Sequence, residues 1–390
     1  MKLPPLVTRR PPLSREELSR YSRHILLPEI GLQGQQRLKG SRVLVVGAGG
    51  LGSPVLLYLA AAGVGTLGIV DFDRVDISNL QRQVIHRMST VGRLKTDSAR
   101  DAILDLNPHV DVRAHDERLD NDNAVPLFRQ YDIVVDGTDN FATRYLVNDA
   151  CVLADRPYVW GSIYRFEGQA SVFWEAAPGG IGVNYRDLYP EPPPPELAPS
   201  CSEGGVLGVL CASIASIMAT ETVKLITGAG DSLLGRLAVY DALEMRCRFL
   251  PLRRAPGRQP ITALADYRHF CNPAVRQPPN GETIAPGVDV AELKRLLDAG
   301  APLELIDVRE PNEWDLVRIP GARLVPKQQM LAGGMTTLDK SRRTVIYCKG
   351  GARSQEVVQA MRRAGFTDVS NLDGGVLAWV RLIDPSLPSY

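Results

Sequence analysis

At 390 residues the chain exceeds the roughly 250–300 residues at which a single hydrophobic core stops growing, so two domains or one large one are expected. Forty-five basic side chains against 44 acidic ones leave a net charge of +1. That balance supplies neither the basic field of a nucleic-acid binder nor the acidic tail of a charged partner. With 44% hydrophobic and 23% charged residues the composition is that of an ordinary globular protein, expected in the cytoplasm.

The opening MKLPPLVTRRPPLSREE has no apolar segment of the kind that targets or anchors, and its prolines predict a loose arm over residues 1–17. From Arg42 strand and helix patterns alternate: VLVVG, a helix from Gly50 to Ala62, then TLGIVD. A helix with apolar positions at Val91, Leu94, Ala99, Ala102, Ile103 and Leu106 follows, then VDVRAH, another helix, and DIVVDGTDN. This order predicts an α/β fold, a Rossmann-like doubly wound parallel sheet. FEGQASVFW alternates like a strand with one solvated face and extends the sheet, and Pro178–Pro199 reads as a long irregular connection. The apolar run Gly204–Ala219 is short and is followed by Glu221 and Lys224. It reads as a buried helix and not a membrane span. Residues 272–286, NPAVRQPPNGETIAP, read as a linker between a domain at 18–271 and a smaller α/β domain at 287–390.

Gly47, Gly49 and Gly52 spell G-x-G-x-x-G between a strand and a helix, and Asp71 ends the next strand where a ribose-binding acid is expected. That much suits NAD, FAD or ATP equally. Arg82 and Lys95 then follow the second strand, and Asp139 and Asn140 follow DIVVDG, all at the sheet edge where ligands of such folds bind. Gathered cations suit a triphosphate, and a lone carboxylate there can hold Mg2+ together with phosphate oxygens. ATP with Mg2+ is therefore expected. An NAD(P)-dependent oxidoreductase and a non-catalytic docking module stay open as alternatives.

Six cysteines are scattered without a C-x-x-C pair, which disfavours a disulfide framework and a zinc knuckle. Cys151 and Cys211 sit in apolar helical runs and read as inert. Cys348 differs, because TVIYCKGGARS places it after a buried strand and before Lys349, Gly350, Gly351, Ala352 and Arg353. Successive backbone N–H groups and a helix N-terminus there form an anion cradle that favours a thiolate or persulfide. A tyrosine-phosphatase loop needs five residues between cysteine and arginine, and here there are four, so the smaller ring suits sulfur.

Arg20-Tyr-Ser-Arg23, Gly47–Gly52, Asp71-Phe-Asp73, Ser78-Asn-Leu-Gln-Arg-Gln83, Lys95, Asn107-Pro108 and Thr138-Asp-Asn140 together resemble the MoeB/ThiF adenylating enzymes, relatives of ubiquitin-activating enzymes, from about Leu18 to Arg248. The resemblance implies ATP-dependent adenylation of the terminal glycine of a small ubiquitin-like sulfur carrier ending in Gly-Gly. It places Gly47, Gly49, Gly50, Gly52, Asp71, Asp73, Ser78, Asn79, Leu80, Gln81, Arg82, Lys95, Asp139 and Asn140 around the nucleotide. Arg23 would reach the phosphates of a neighbouring subunit, which implies a homodimer, and Cys201 would be the family's crossover-loop cysteine. Many relatives bind structural zinc through two C-x-x-C pairs, but Asn184 with Asp187 and Arg258 with Ile261 stand at the matching positions. No zinc is expected, and packing is expected to hold that loop.

Beyond the linker, the Cys348 loop with Asp307-Val-Arg309, Glu313-Trp314, Ile319-Pro-Gly-Ala322 and Leu372-Asp-Gly-Gly375 resembles the rhodanese sulfurtransferases. Val317-Arg318 replaces the glycine and histidine common before that isoleucine. The combined expectation is carboxylate activation by the first domain and sulfur delivery from a Cys348 persulfide by the second. The sulfur would come from a donor such as a cysteine desulfurase or thiosulfate. The product is a carrier thiocarboxylate for molybdopterin, thiamine, cysteine or tRNA-thiolation pathways. Neither nucleic acid nor membrane is an expected partner.

Overall fold

A computed structural model describes residues 2–191, 205–267 and 287–390. The chain divides into two compact units, Met1–Gln277 and Pro278–Tyr390. Cys201, Cys271 and the 272–286 stretch lie outside the described residues.

The first unit is built on an eight-stranded sheet. Its strands are β1 (Arg42–Val46), β2 (Thr66–Val70), β3 (Asp111–His115), β4 (Ile133–Asp136), β5 (Tyr158–Tyr164), β6 (Glu167–Phe173), β7 (Arg236–Asp241) and β8 (Arg246–Pro251), in the order β3-β2-β1-β4-β5-β6-β7-β8. The pairs from β3 to β5 are parallel and those from β5 to β8 antiparallel. The unbroken RVLVV and IVVD runs are what a strand covered on both faces requires, and from Val43 and Ile133 onward both are fully buried. β6 keeps the expected alternation over its first residues, with Glu167 exposed and Gly168 buried. Its second half is buried, with the Gly208–Thr227 helix close enough that a side chain at Gly168 would strike Ile214.

That helix, Gly208–Thr227, is long and apolar enough to cross a membrane. Its packing argues for a core element instead. Met218 lies against Gly161 of β5, and buried Glu221 pairs with Lys224 and accepts the Leu233 N–H at 2.7 Å. The helix expected from Val91 begins at Lys95, because Gly92 adopts φ +86° and breaks the periodicity upstream. Residues 2–17 also differ from the loose arm expected of them. Leu3 and Val7 are buried, the Leu6 N–H bonds the Leu225 carbonyl, and Arg9 donates to the Gly40 carbonyl at 2.8 Å while pairing with Asp132. Two apolar anchors and one arginine suffice to pin a segment that has no periodic pattern.

The loop around Asn184 and Asp187 is packed as expected, with Val183 and Tyr185 buried in the core, and a charge cluster is added to that packing. Arg258 pairs with Asp187 at 3.0 Å and Glu175 at 2.7 Å, and Asn184 donates to Glu175 at 2.9 Å. Asp187 also accepts the N–H groups of Asn184 and Ala255 at 2.8 and 2.9 Å.

The second unit is a parallel sheet of β9 (Glu304–Asp307), β10 (Arg323–Leu324), β11 (Thr344–Tyr347) and β12 (Val369–Asn371) in the order β10-β9-β11-β12. Helices Val290–Asp298, Ala352–Arg363 and Gly375–Leu382 belong to the same unit.

Candidate active site

In the order β2-β1-β4 the chain leaves β1 toward one side and returns to β4 from the other, which opens a crevice beyond their carboxyl ends. A cavity of about 620 Å³ occupies that place, with Gly47, Asp71, Arg82, Lys95 and Asp139 among its walls. The turn after β1 is tight. Gly47 takes φ +89°, and a Cβ on Gly52 would lie 1.8 Å from the Gly47 carbonyl, so glycine is required at both positions.

Asp71 braces this turn. Its Oδ2 accepts the Ala48 N–H at 2.8 Å and its Oδ1 the Asp73 N–H at 2.9 Å. Burial raises its carboxyl above the ordinary value, against the pull of Lys95. Lys95, only 6% exposed, is fixed by Asp73 at 2.8 Å and extends from the first turn of the Lys95–Leu106 helix. Arg82 donates to the Ser78 carbonyl at 3.2 Å. Asn140 caps the Phe141–Ala154 helix through the Thr143 N–H, so that Asp139 and Asn140 form an exposed rim at the end of β4. Asp139 makes no side-chain hydrogen bond among the described residues. Gly49 and Gly50 also face the cavity.

Ser78, Asn79, Leu80 and Gln81 do not line the cavity. The Asp76 carboxylate accepts both the Ser78 N–H and its hydroxyl, which closes a short turn whose product is the placement of Arg82. Arg23 is exposed in the Ser22–Ile25 helix and stands apart from the walls. Several wall residues escaped the sequence reading. Gln83 is buried with its Oε1 unpartnered, and membership in the same SNLQRQ run could have flagged it. Arg118, stacked 4.4 Å from the Phe72 ring centroid, and Tyr267, bonded to Asp149 at 2.7 Å, come from distant segments and carried no local signal.

In the second unit Cys348 is 2% exposed at the end of β11. Its sulfur meets the Gly351 N–H at 3.1 Å and the Ser354 hydroxyl at 3.3 Å. Gly351 reaches this position with φ +105°, and the Ala352–Arg363 helix starts directly behind it. The cradle expected of Lys349–Arg353 is thus supplied at the sulfur by Gly351 and by Ser354, one residue past the predicted set. Arg353 forms a bidentate pair with Glu313 at 2.7 and 2.8 Å. Tyr390 donates to the same carboxylate at 2.8 Å and its ring lies 4.5 Å from the Lys349 ammonium. Burial acts to raise the Glu313 carboxyl, but Arg353, the Glu310 N–H and Tyr390 outweigh it and leave it below its ordinary value. Cys151 is buried far from water and burial pushes its thiol well up, in keeping with an inert core cysteine.

Comparison with known proteins agrees with both halves of this geometry. The ThiF family model matches residues 21–260 and the rhodanese-like domain model residues 289–382. The chain is 60% identical over its whole length to a protein of Mycobacterium tuberculosis named probable adenylyltransferase/sulfurtransferase MoeZ, of which it covers 99%. It is 40% identical, over 97% of its own length and 90% of the relative, to adenylyltransferase and sulfurtransferase MOCS3 of Culex quinquefasciatus. Among solved structures, Escherichia coli MccB with ATP shares the fold, with a TM-score of 0.53 at 23% identity over 61% of this chain and 72% of that one.

Proposed function

Because the chain belongs to the ThiF family and carries a C-terminal rhodanese-like domain, we propose that it adenylates the terminal glycine of a ubiquitin-like carrier and then delivers sulfur to it. It is an enzyme of adenylyl and sulfur transfer, as its relatives are named, and adenylyl transfer uses ATP. Neither alternative, an NAD(P) oxidoreductase or a non-catalytic docking module, is what those names describe.

The observation that carries the finer reading is the joint placement of Arg82, Lys95 and Asp139 on one cavity wall beside the glycine turn. Gly49 and Gly50 let the nucleotide's phosphates approach the backbone, and Arg82 and Lys95 neutralise them. Asp139 fits Mg2+, which commonly takes one or two carboxylates together with substrate phosphates; its free carboxylate on the rim is the donor available for that role. When bound, the metal supplies charge neutralisation at the phosphates. The carrier's carboxylate oxygen attacks the α-phosphorus, pyrophosphate leaves, and an acyl-adenylate remains. Positioning and electrostatics supply most of the catalysis, as in other phosphoryl transfers.

In the second unit the Cys348 thiolate takes a sulfane sulfur from the donor, and for thiosulfate the departing group is sulfite. Gly351 N–H and the Ser354 hydroxyl stabilise the sulfur anion. The terminal persulfide sulfur attacks the acyl carbon and AMP leaves, giving an acyl disulfide on Cys348. A second thiol, the role proposed for Cys201, attacks the Cys348 sulfur, so that the thiocarboxylate departs and a disulfide remains for a thiol reductant to open. We assign Arg23 to the nucleotide of a partner subunit in a homodimer. The carrier-dependent exchange of labelled pyrophosphate into ATP tests the first half. Exchange with a Gly-Gly carrier is expected, and its absence with every such carrier while NAD binds tightly would refute the reading.

A further inference from the structure

One buried titratable group beside the glycine turn has no part in the steps above. His86 is 6% exposed and lies outside the cavity walls. Its Nε2 is 3.0 Å from the Ala48 carbonyl oxygen and its Nδ1 is 2.9 Å from the Ser98 hydroxyl. A carbonyl oxygen only accepts, so Nε2 carries the proton. Burial pushes the ring down to about 4, which leaves it neutral at physiological pH.

The consequence follows from peptide geometry. Among the described residues there is no cis peptide, and in a planar trans peptide the C=O and N–H point in opposite directions. Drawing the Ala48 carbonyl back toward His86, with Ser53 donating to the same oxygen at 3.1 Å, turns the Gly49 N–H the other way. Gly49 faces the cavity, and its N–H has no acceptor among the described residues. The preceding peptide is held as well, because Asp71 accepts the Ala48 N–H. Two peptide planes of the turn are therefore clamped, one by Asp71 of the cavity wall and one by His86 from behind it.

We propose that His86 is a positioning residue for the nucleotide: its Nε2–H holds the Ala48 carbonyl so that the Gly49 N–H is aimed at a phosphate oxygen. The proposal rests on the ATP reading of the cavity. Nε2 of glutamine can replace Nε2 of histidine, whereas alanine leaves the buried carbonyl to Ser53 alone.

The test uses the full chain with ATP, Mg2+ and a Gly-Gly carrier in the pyrophosphate-exchange assay, together with calorimetric binding of a non-hydrolysable ATP analogue. His86→Ala is expected to raise the KM for ATP and weaken analogue binding by roughly tenfold, the scale of one lost hydrogen bond to a buried group. The KM for the carrier should hold, and His86→Gln should recover most of the loss. A histidine-labelled sample, its His86 signal assigned by loss in His86→Gln, should show the Nε2–H tautomer in nitrogen NMR at neutral pH. Unchanged ATP affinity in a folded His86→Ala protein would overturn the proposal. So would a glutamine variant no better than alanine, or an Nδ1–H ring. Failure of the ATP reading shows itself separately, as a wild-type protein that neither exchanges pyrophosphate nor binds the analogue.

Discussion

Replacing Arg258 by methionine removes the cation at the centre of the charge cluster while keeping most of its volume. Asp187 is then left with its side chain 0% exposed and two backbone N–H partners, and Glu175 keeps only Asn184 and the distant Arg254 at 3.4 Å. Breaking a buried pair from one side costs about 3–5 kcal/mol. The lower end applies here, because Glu175 is 23% exposed and both carboxylates retain hydrogen bonds. About 3 kcal/mol corresponds to a fall of roughly 5–6 °C in the unfolding temperature of a unit this size. Arg254, 55% exposed, is the internal control, since exposed pairs contribute about 0–1 kcal/mol. Scanning calorimetry of the full chain should show the first unit's transition falling by that amount in Arg258→Met and barely moving in Arg254→Met. Equal, small shifts in the two variants would refute the claim that this cluster helps to hold the loop.

Other expectations follow from the two sites. Asp139→Ala should abolish carrier-dependent pyrophosphate exchange while leaving thiosulfate sulfurtransfer unchanged, checked by assaying both on one preparation. Cys348→Ala should do the reverse; a sulfur adduct that persists in Cys348→Ala by intact mass would move the persulfide elsewhere. Glu313 has a depressed carboxyl in the folded chain, so its stabilising contribution is complete above the unfolded value near 4.5 and is lost as pH falls through the folded one. The gap in unfolding temperature between wild type and Glu313→Gln should therefore be open at pH 7 and close on acidification below that value. A gap independent of pH would contradict the ion-pair origin.

The first sheet and the cavity at its edge were legible because buried parallel strands write themselves as unbroken β-branched runs and the tight turn after β1 needs glycine at fixed offsets. Gly47, Asp71, Arg82, Lys95 and Asp139 meet at one cavity as the motif order implied. Ser78–Gln81 belonged to the same motif yet shape a turn rather than a wall, a distinction that spacing does not encode. Arg118 and Tyr267 join the cavity by tertiary placement alone. In the second unit the spacing from Cys348 to Arg353 identified the loop, but the partner of Arg353 is Glu313, 40 residues upstream, and a long-range pair leaves no periodic trace. The N-terminal segment failed for a similar reason: Leu3 and Val7 are buried against residues remote in sequence.

One chain is proposed to join carboxylate activation to sulfur delivery, and that coupling yields a product of distinct mass. Its most direct test is intact mass of a Gly-Gly carrier incubated with the full chain, ATP, Mg2+, thiosulfate and a thiol reductant. The wild-type enzyme should convert the carrier's terminal carboxylate to a thiocarboxylate, and Cys348→Ala should stop at the adenylate. A carrier whose mass never changes, or a thiocarboxylate that forms equally well without Cys348, would rule that coupling out.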